Sequence, residues 1–342
     1  MRYCARSPLR IDFVGMTDYR PACALYGGSV VNATINKYIY ASAAWREDQC
    51  VILHAADQED RRVEVESPDS LSSEGPLGLA QAILRRFGLA RGLEMTTYSE
   101  MPSGAGLGSS STIATCIIAL LNAMTGFGLS NYEMALMAID CEEEALHTRY
   151  GWQDQFSPVT GGGVKYLRHW PESDMRGIEV DALPLSPAQL SELQQSLVVC
   201  YSGMSRPAGA ILHKVATGFE AGDPVVLDGL KGMNACAEEI RLQLLAGRLQ
   251  AAGRILSEVW ALHQTLHADV TNERIDELYH LALDHGAIGG RVCGAGGGGT
   301  MLFHCAPNRE FAVKQALVAA NATVFDFSFD PQGLFLWQTE DK

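Results

Sequence analysis

Long apolar runs are absent from this sequence of 342 residues, and none approaches the ~20 residues that a membrane-spanning helix needs. The opening residues, MRYCARSPLR, also lack the apolar core of a secretion signal. We therefore expect a soluble, cytoplasmic protein with no membrane partner.

Paired cysteines are absent as well. The nine cysteines are an odd number, they are scattered from Cys4 to Cys305, and no two form a C-x-x-C pair. This pattern argues against a disulfide framework and against a zinc cage. We expect most of these cysteines to be small buried side chains.

Basic residues are few: 26 lysines and arginines stand against 40 acidic residues, for a formal net charge of -14. A negative field of this size repels nucleic acid, so we expect no nucleic-acid partner. A small anionic substrate stays compatible with the composition, because one local basic pocket can outweigh the field of the whole molecule.

The sequence does contain a mixture of strand and helix patterns, which predicts an α+β fold in two halves, 1–185 and 186–342. Apolar runs predict strands at 28–44, 51–55, 62–67, 93–102 and 196–203. Periodicity and capping residues predict helices at 77–88, 109–125, 130–148, 208–222, 224–247, 249–267, 272–286 and 309–320. We interpret 151–170 as turns ending in a strand, 171–190 as a connector, and 323–330 as a strand that buries its phenylalanines.

The stretch MPSGAGLGSSST, residues 101–112, carries the strongest chemical signal. Gly104, Gly106 and Gly108 alternate, three serines follow, and an apolar helical run comes next. A glycine turn before a helix suits an anion, because free N–H groups and the positive end of the helix dipole meet there. The stretch lacks the lysine of a Walker A loop and the G-x-G-x-x-G spacing of a dinucleotide turn. The purely structural alternative is a tight turn that only caps a helix.

This stretch resembles the phosphate loop of the GHMP kinases, the superfamily of galacto-, homoserine, mevalonate and phosphomevalonate kinases. The loop pattern P-x-x-x-G-L-G-S-S is matched in order by Pro102, Gly106, Leu107, Gly108, Ser109 and Ser110. Two more segments are similar to superfamily motifs, SPLRIDFVGMTDYRPACALYGGSVVNATIN and RVCGAGGGGTMLFHC. Within the superfamily, GWQDQF, SRPAG and VFDFSFDPQGLFLW are most similar to bacterial D-glycero-D-manno-heptose 7-phosphate kinases.

The resemblance implies a two-domain GHMP kinase fold, with a ribosomal protein S5 domain 2-like N-terminal domain and a ferredoxin-like α+β C-terminal domain. It implies ATP and Mg²⁺ as cofactors. The phosphate loop would comprise Pro102, Gly104, Gly106, Leu107, Gly108, Ser109, Ser110 and Ser111.

The resemblance also assigns catalytic roles. Asp154 in GWQDQF matches the aspartate that faces the acceptor hydroxyl, as a base or as an orienting group, and Arg10 matches the basic residue of the first strand. Ser110 and Glu142 would hold Mg²⁺, with Glu143 as the alternative carboxylate.

For the acceptor, Thr17 and Asp18 match a T-D pair that touches sugar hydroxyls, and Gly294, Gly296 and Gly297 belong to the C-terminal glycine turn. The first motif lacks the Glu-His pair of galactokinases and is one residue shorter than the expected heptose-kinase form, which disfavours galactose. Candidates for binding a substrate phosphate are Arg206 and Lys214, followed by Arg20 and Arg149.

We therefore expect a kinase that phosphorylates the anomeric hydroxyl of a heptose 7-phosphate to give a heptose 1,7-bisphosphate. One alternative keeps the fold and changes the acceptor to a fucose-like or other hexose, or to a mevalonate-like alcohol. Another is a catalytically silent ligand sensor on the same fold. A nicotinamide oxidoreductase is disfavoured by the glycine spacing. The oligomeric state stays open between monomer and homodimer.

Overall fold

The fold is taken from a computed structural model that describes residues 1–58, 61–146, 151–171, 174, 177–205 and 208–340. Its strands are β1 (Arg2–Val14), β2 (Gly28–Trp45), β3 (Val51–Ala55), β4 (Arg61–Val65), β5 (Leu93–Ser99), β6 (Val164–His169), β7 (Ile178–Ala182), β8 (Leu197–Tyr201), β9 (Ala287–Val292), β10 (Thr300–Cys305), β11 (Thr323–Val324) and β12 (Phe335–Thr339).

The α-helices dominate the second half of the chain. They are α1 (Arg20–Tyr26), α2 (Gly78–Phe87), α3 (Ser109–Thr125), α4 (Asn131–Leu146), α5 (Gln153–Thr160), α6 (Pro187–Ser196), α7 (Ala208–Glu220), α8 (Pro224–Leu245), α9 (Leu249–Leu266), α10 (Glu273–Asp284) and α11 (Glu310–Ala319). In the part of the chain that is described, no helix combines the length and apolar character needed to cross a membrane.

Two sheets organise the molecule. Eight strands form one sheet in the order β12-β1-β2-β5-β3-β4, with β6 beside β2 and β7 beside β6; the other four form a second sheet in the order β11-β8-β10-β9. Strand β2 pairs with β6 through residues 28–33 and with β5 through residues 39–45. Strand β1 lies between β12 and β2, so the residues it carries are held from both sides.

Helix α3 is the central helix of the first half. Eleven of its 17 residues are buried, and it packs against β1 and β2. Gly108 and Gly126 flank it in the left-handed conformation, in which glycine is favoured because it has no Cβ. These glycines fix the start of α3 at Ser109, immediately after the glycine turn.

The C-terminal segment connects the two sheets. The N–H of Phe325 donates to Val199 O of β8, whereas the N–H of Asp330 donates to Thr34 O of β2. Strand β12 then pairs with β1. The division of the chain at residue 185 stays a prediction. Strand β12 comes from the second half of the sequence but pairs within the sheet of the first half.

Most elements predicted from the sequence are confirmed, including the bounds of α3 and the strand character of β2, β3, β4, β5 and β8. The predicted capping box at Ser130 is also present, since Ser130 N–H donates to the Glu133 carboxylate and Glu133 N–H donates to Ser130 Oγ. All nine cysteines are free thiols; eight are buried and Cys50 is partly buried.

Four segments differ from their predictions, one of them being Pro187–Ser196, which forms α6 where a connector was predicted to run to residue 190. Residues 153–160 form α5 instead of turns, residues 178–182 form β7 instead of a connector, and only Thr323–Val324 of the predicted last strand pairs as a strand. Strand β7 forms because it pairs with β6. The phenylalanines of the last segment, Phe325, Phe327 and Phe329, are only partly buried, because this segment crosses between the two sheets.

Candidate active site

The glycine turn before α3 has the conformation that its sequence predicts. Gly104, Gly106 and Gly108 have φ values of 74°, 76° and 76°, in the left-handed region. Leu107 is fully buried, and its carbonyl accepts the N–H of Arg10 at 3.2 Å. The turn is thus tied to β1, and the first N–H groups of α3 start at a fixed point on the wall of a cavity.

A second glycine turn, residues 293–299 between β9 and β10, packs directly on the first. The N–H of Thr300 donates to Ala105 O at 2.8 Å, and a Cβ added at Gly106 would lie 2.7 Å from Cys293 O. A Cβ at Gly299 would lie 2.8 Å from Ala105 O. Two backbones can approach this closely only without side chains, which explains why glycine is needed in both turns.

The three predicted glycines of this second turn have different surroundings. Gly294 lines the cavity, and its N–H donates to the carboxylate of Asp12 at 3.1 Å. Gly297 N–H instead donates to Val270 O at 2.7 Å, and a Cβ on Gly296 would meet that same carbonyl. Gly296 and Gly297 are not among the described lining residues, so they shape the turn from behind.

Arg10 and Asp154 form a bidentate ion pair at the cavity. Arg10 Nε donates to Asp154 Oδ1 at 2.7 Å and Nη2 donates to Oδ2 at 2.9 Å. The third donor, Nη1, bonds Gly106 O of the phosphate loop at 2.5 Å. Burial lowers the pKa of Arg10, but the carboxylates of Asp154 and Asp12 outweigh this and hold that pKa above its ordinary value.

The carboxylate of Asp154 also touches the phosphate loop. A Cβ built on Gly108 would lie 3.0 Å from Asp154 Cγ. Asp154 stands in the first turn of α5, and 26% of its side chain is exposed. The residue predicted to face the acceptor hydroxyl is therefore in contact with the loop predicted to hold the donor phosphates.

Ser110 and Glu142 meet at the start of α3, as the predicted metal pair requires. Ser110 Oγ donates to Glu142 Oε1 at 2.8 Å. Gln155 Nε2 donates to Glu142 Oε2 and, at 3.0 Å, to Ser111 Oγ. Burial raises the pKa of Glu142 to about 7, while the donors Gln155, Ser111 and Ser110 act to lower it. Glu142 lines the cavity.

Two buried oxygens at this place lack partners among the described residues, Ser109 Oγ and Gln155 Oε1. A hydroxyl and a carboxylate are the donors that Mg²⁺ takes from proteins when phosphate oxygens and water complete its shell. In the described chain no group of three or more His, Cys, Asp or Glu side chains forms a metal site. The donor set fits a magnesium ion carried by a nucleotide rather than one caged by protein.

Asp18 caps α5 from a distant part of the chain. Its Oδ2 accepts the N–H groups of Trp152 at 2.9 Å and Gln153 at 3.0 Å. Burial raises the pKa of Asp18 to about 6, and these backbone donors act against the rise. Gly151 leaves room for this carboxylate, since a Cβ there would lie 1.8 Å from Asp18 Oδ2. Asp18 therefore helps to position the helix that carries Asp154, and it lines the cavity.

Thr17, the other predicted sugar contact, lies elsewhere. It is buried, its hydroxyl donates to Ser29 O, and it does not appear among the described residues that line the cavity. Its side chain secures the turn that presents Asp18.

Two of the four predicted phosphate-binding cations lie away from the cavity. Lys214 pairs with Asp269 and Arg20 pairs with Glu143, and within the described chain none of these four lines the cavity. Because Glu143 pairs with Arg20, Glu142 is the candidate carboxylate that lines the cavity. Arg206 and Arg149 lie outside the described residues.

Asp12 and Gln155 belong to the site and were missed by sequence reasoning. Asp12 is fully buried, accepts the N–H of Gly294, and lies 3.9 Å from Arg291 Nη1. Its signal was its position two residues after Arg10, which places both side chains on the same face of β1. The signal for Gln155 was its place beside Asp154 in GWQDQF.

The ion pair, the metal pair and the glycine turn line one cavity of about 570 Å³, which has a polar and an apolar end, whereas Asp12 is not among its described lining residues. Arg10, Asp18, Glu142, Asp154 and Gly294 line the polar end. The apolar end is lined by Ile39, Leu53, Met95, Ile113 and Ile117. Ile39 pairs with Ser7, three residues before Arg10 on β1, so Ile39 and Arg10 lie roughly 10 Å apart along the strand.

Comparison with known proteins agrees with this arrangement. Residues 76–162 match the GHMP kinases N terminal domain, and residues 240–323 match the GHMP kinases C terminal domain. The chain is 30% identical over 340 residues to a D-glycero-alpha-D-manno-heptose 7-phosphate kinase of Campylobacter jejuni, covering 97% of this chain and 98% of that protein.

Two further similarities extend the comparison. The chain is 29% identical over 309 residues to a bifunctional fucokinase/GDP-fucose pyrophosphorylase of Arabidopsis thaliana, covering 86% of this chain but only 29% of that protein. A crystal structure of a D-glycero-D-manno-heptose 1-phosphate kinase from Bacteroides thetaiotaomicron superposes with a TM-score of 0.80 at 25% identity, covering 99% of this chain and 100% of that one.

The chain belongs to the GHMP kinase family. Members of this family are ATP-dependent phosphotransferases that act on hydroxyl groups, and the α+β fold with its two family domains is confirmed. The heptose phosphate kinases among the relatives place the chain with the sugar kinases of the family.

Proposed function

We propose that this chain transfers the γ-phosphoryl group of ATP to the anomeric hydroxyl of a heptose 7-phosphate, giving a heptose 1,7-bisphosphate. The observation that carries the proposal is the contact between Asp154 and Gly108: the acceptor-facing carboxylate abuts the phosphate loop. The 30% identity to the Campylobacter jejuni heptose 7-phosphate kinase supports this choice of acceptor.

The donor nucleotide would span the two ends of the cavity. The apolar end suits a nucleoside base, and the glycine turn with the N-terminus of α3 suits the phosphates. Ser110 and Glu142 would hold Mg²⁺, which supplies charge neutralisation to the transferring phosphate. Ser109 Oγ, which is buried without a partner in the described chain, is free to donate to a phosphate oxygen.

The polar end would perform the transfer. Asp154 accepts a hydrogen bond from the acceptor hydroxyl and receives its proton as the hydroxyl oxygen bonds to the γ-phosphorus and the bond to ADP breaks. Arg10 holds both oxygens of Asp154 and, through Nη1, the carbonyl of Gly106, so it fixes the carboxylate relative to the phosphate loop. Arg10 keeps its charge throughout, since a guanidinium does not act as a base.

The phosphate of the acceptor needs a cation, for which we propose Arg206. Arg206 belongs to SRPAG and lies two residues before the start of α7, and Gly209 and Leu212 in the first turns of α7 line the cavity. A guanidinium suits a phosphate through its two parallel N–H donors.

The test is ADP release from Mg-ATP with a panel of acceptors: heptose 7-phosphate, the unphosphorylated heptose, L-fucose, D-galactose and mevalonate, with a reaction lacking acceptor as control. We expect turnover on heptose 7-phosphate and a new anomeric phosphate signal in the ³¹P spectrum of the product. Turnover restricted to an unphosphorylated sugar would overturn both the acceptor and the Arg206 assignment. ATP binding without turnover on any acceptor would favour the ligand sensor.

A further inference from the structure

Two bulky side chains on the cavity wall, Met16 and Leu77, have backbone angles that side chains of their type rarely adopt. Their φ values are 70° and 56°, in the left-handed region. The other non-glycine residues with positive φ in the described chain are Asn308 and Asn321, and asparagine tolerates this conformation. Both strained apolar residues line the cavity, which points to a function for the strain.

The turn around Met16 is fixed on both sides. Gly15 has no room for a side chain, because a Cβ there would lie 2.2 Å from Asp12 Oδ2 and 3.0 Å from Gln153 Nε2. On the other side, Thr17 donates to Ser29 O, and the N–H of Tyr19 donates to Met16 O. Strain of this kind persists only where the surrounding structure imposes it.

Met16 lies at the polar end of the cavity. Its neighbours in the turn contact α5 directly, Gly15 through Gln153 and Asp18 through the N–H groups of Trp152 and Gln153. Met16 itself is only 4% exposed and belongs to the main apolar core, while part of it forms the cavity wall. An apolar surface therefore stands beside the carboxylate of Asp18, next to the helix that carries Asp154.

We propose that Met16 is a specificity-determining residue for the acceptor, and that it selects a sugar presenting a C–H face where a neighbouring hydroxyl meets Asp18. This proposal rests on the proposed kinase activity. A hydroxyl directed at Met16 would lose its water without gaining a hydrogen bond, and a bulkier group would collide with the thioether. Glycine at this position would relieve the backbone and open the wall at the same time.

Leu77 provides the matched control. It precedes α2, which packs against α3 and α4, so it belongs to the apolar side of the cavity, whereas the Met16 turn packs against α5. Replacing either residue by glycine removes the same kind of strain and a similar apolar volume. The two residues differ in their position in the cavity and in burial, since Met16 is buried and Leu77 is partly buried.

The experiment compares wild type, Met16→Gly, Met16→Asn and Leu77→Gly on the same acceptor panel, with KM for ATP and the melting temperature measured for each. We expect both Met16 variants to change the ratio of kcat/KM between acceptors by about tenfold or more, the size of effect that one or two methylene contacts produce. KM for ATP should stay within about twofold in these variants. Leu77→Gly should raise KM for ATP and leave the acceptor ratios unchanged.

The melting temperature separates specificity from folding. Met16→Gly should melt below wild type, because truncating a buried side chain of the main core costs about 2–5 kcal/mol and the relieved backbone strain returns only about 1–2 kcal/mol. The acceptor ratios are therefore compared at a temperature well below the melting temperature of every variant. Unchanged acceptor ratios in both Met16 variants, with an active wild type, would overturn the Met16 proposal alone. A wild type inactive on the whole panel would overturn the proposed function. The melting-temperature shift caused by each panel compound would then test Met16 without turnover, and identical shifts in wild type and Met16→Gly would overturn it.

Discussion

Arg10 holds Asp154 by both carboxylate oxygens, at 2.7 Å and 2.9 Å, across 144 residues of sequence. Arg10 is 3% exposed, whereas 26% of the Asp154 side chain is exposed. The pair is therefore buried on its cationic side and open to the cavity on its anionic side. Each carboxylate oxygen has a lone pair left for an incoming hydroxyl.

Asp154→Asn is expected to lower kcat by about 10²- to 10⁴-fold, the usual contribution of a positioned acid–base group. The amide keeps the shape of the side chain but loses the negative charge, and its NH₂ group faces the donors of Arg10. KM for ATP should change little, because the phosphate loop is intact. ADP release under saturating acceptor measures this.

Asp181→Asn is the control, since Asp181 is an exposed aspartate on β7. We expect it to keep wild-type kcat. If Asp154→Asn kept more than about a tenth of wild-type kcat, the result would contradict a role for Asp154 in proton transfer.

Ser110→Ala is expected to raise the Mg²⁺ concentration needed for half-maximal activity by about tenfold or more, a typical effect of losing a group that holds or orients a metal. The hydroxyl is one of only two protein donors in the proposed magnesium site, so little remains to compensate. Titration of activity with Mg²⁺ at fixed ATP gives this constant, and Mn²⁺ binding in the presence of ATP measures affinity without turnover.

Glu143→Gln is the matched control for the metal site. Glu143 neighbours Glu142 on α4 but pairs with Arg20, away from the described cavity lining. The Mg²⁺ requirement should be unchanged in this variant. A rise equal to that of Ser110→Ala would contradict the assignment of Glu142 over Glu143.

Sequence reasoning succeeded where chemistry is local and failed where it depends on distant partners. The glycine turn and α3 could be predicted because alternating glycines, hydroxyls and an apolar run encode a helix start within a dozen residues. Helix α5 could not, because Trp152 and Pro158 are poor helix signals and its N-terminus is capped by Asp18, 134 residues away. The role of Asp12 was missed for the same reason, because its partner Gly294 lies 282 residues further along the chain.

Glu142 gives a prediction about stability and pH. Its pKa is raised from 4.5 to about 7, chiefly by burial, so the native state binds this proton more tightly than the unfolded state. The free energy of unfolding must then fall as pH rises from about 4.5 to about 7. The amide of Glu142→Gln does not titrate. Without metal, the free energy of unfolding of this variant should therefore exceed that of wild type by on the order of 1–3 kcal/mol at pH 8.

That gain should shrink toward zero at pH 5, where wild-type Glu142 is largely protonated in the native state. Urea unfolding in EDTA at the two pH values measures the difference. A gain that is equal at pH 5 and pH 8 would show that Glu142 is ionised in the native protein over this whole range.

The contact between the two glycine turns gives the last prediction. Gly106→Ala adds a Cβ at a φ of +76° and 2.7 Å from Cys293 O, whereas Gly75→Ala adds one at a φ of +82° with nothing within 4 Å. Both variants incur the left-handed strain of about 1–2 kcal/mol, so Gly75→Ala measures that strain alone. Gly106→Ala must also push the turns apart, which adds about 1–3 kcal/mol of overpacking.

We therefore expect Gly106→Ala to melt below Gly75→Ala and to raise KM for ATP, because the displaced turn carries the N–H groups that we propose to bind the phosphates. Gly75→Ala should keep the wild-type KM. Equal melting temperatures in the two variants would mean that the second turn yields without resistance. In that case the close packing of the turns would not be what holds the phosphate loop in place, and its geometry would have to come from Arg10, through its bond to Gly106 O.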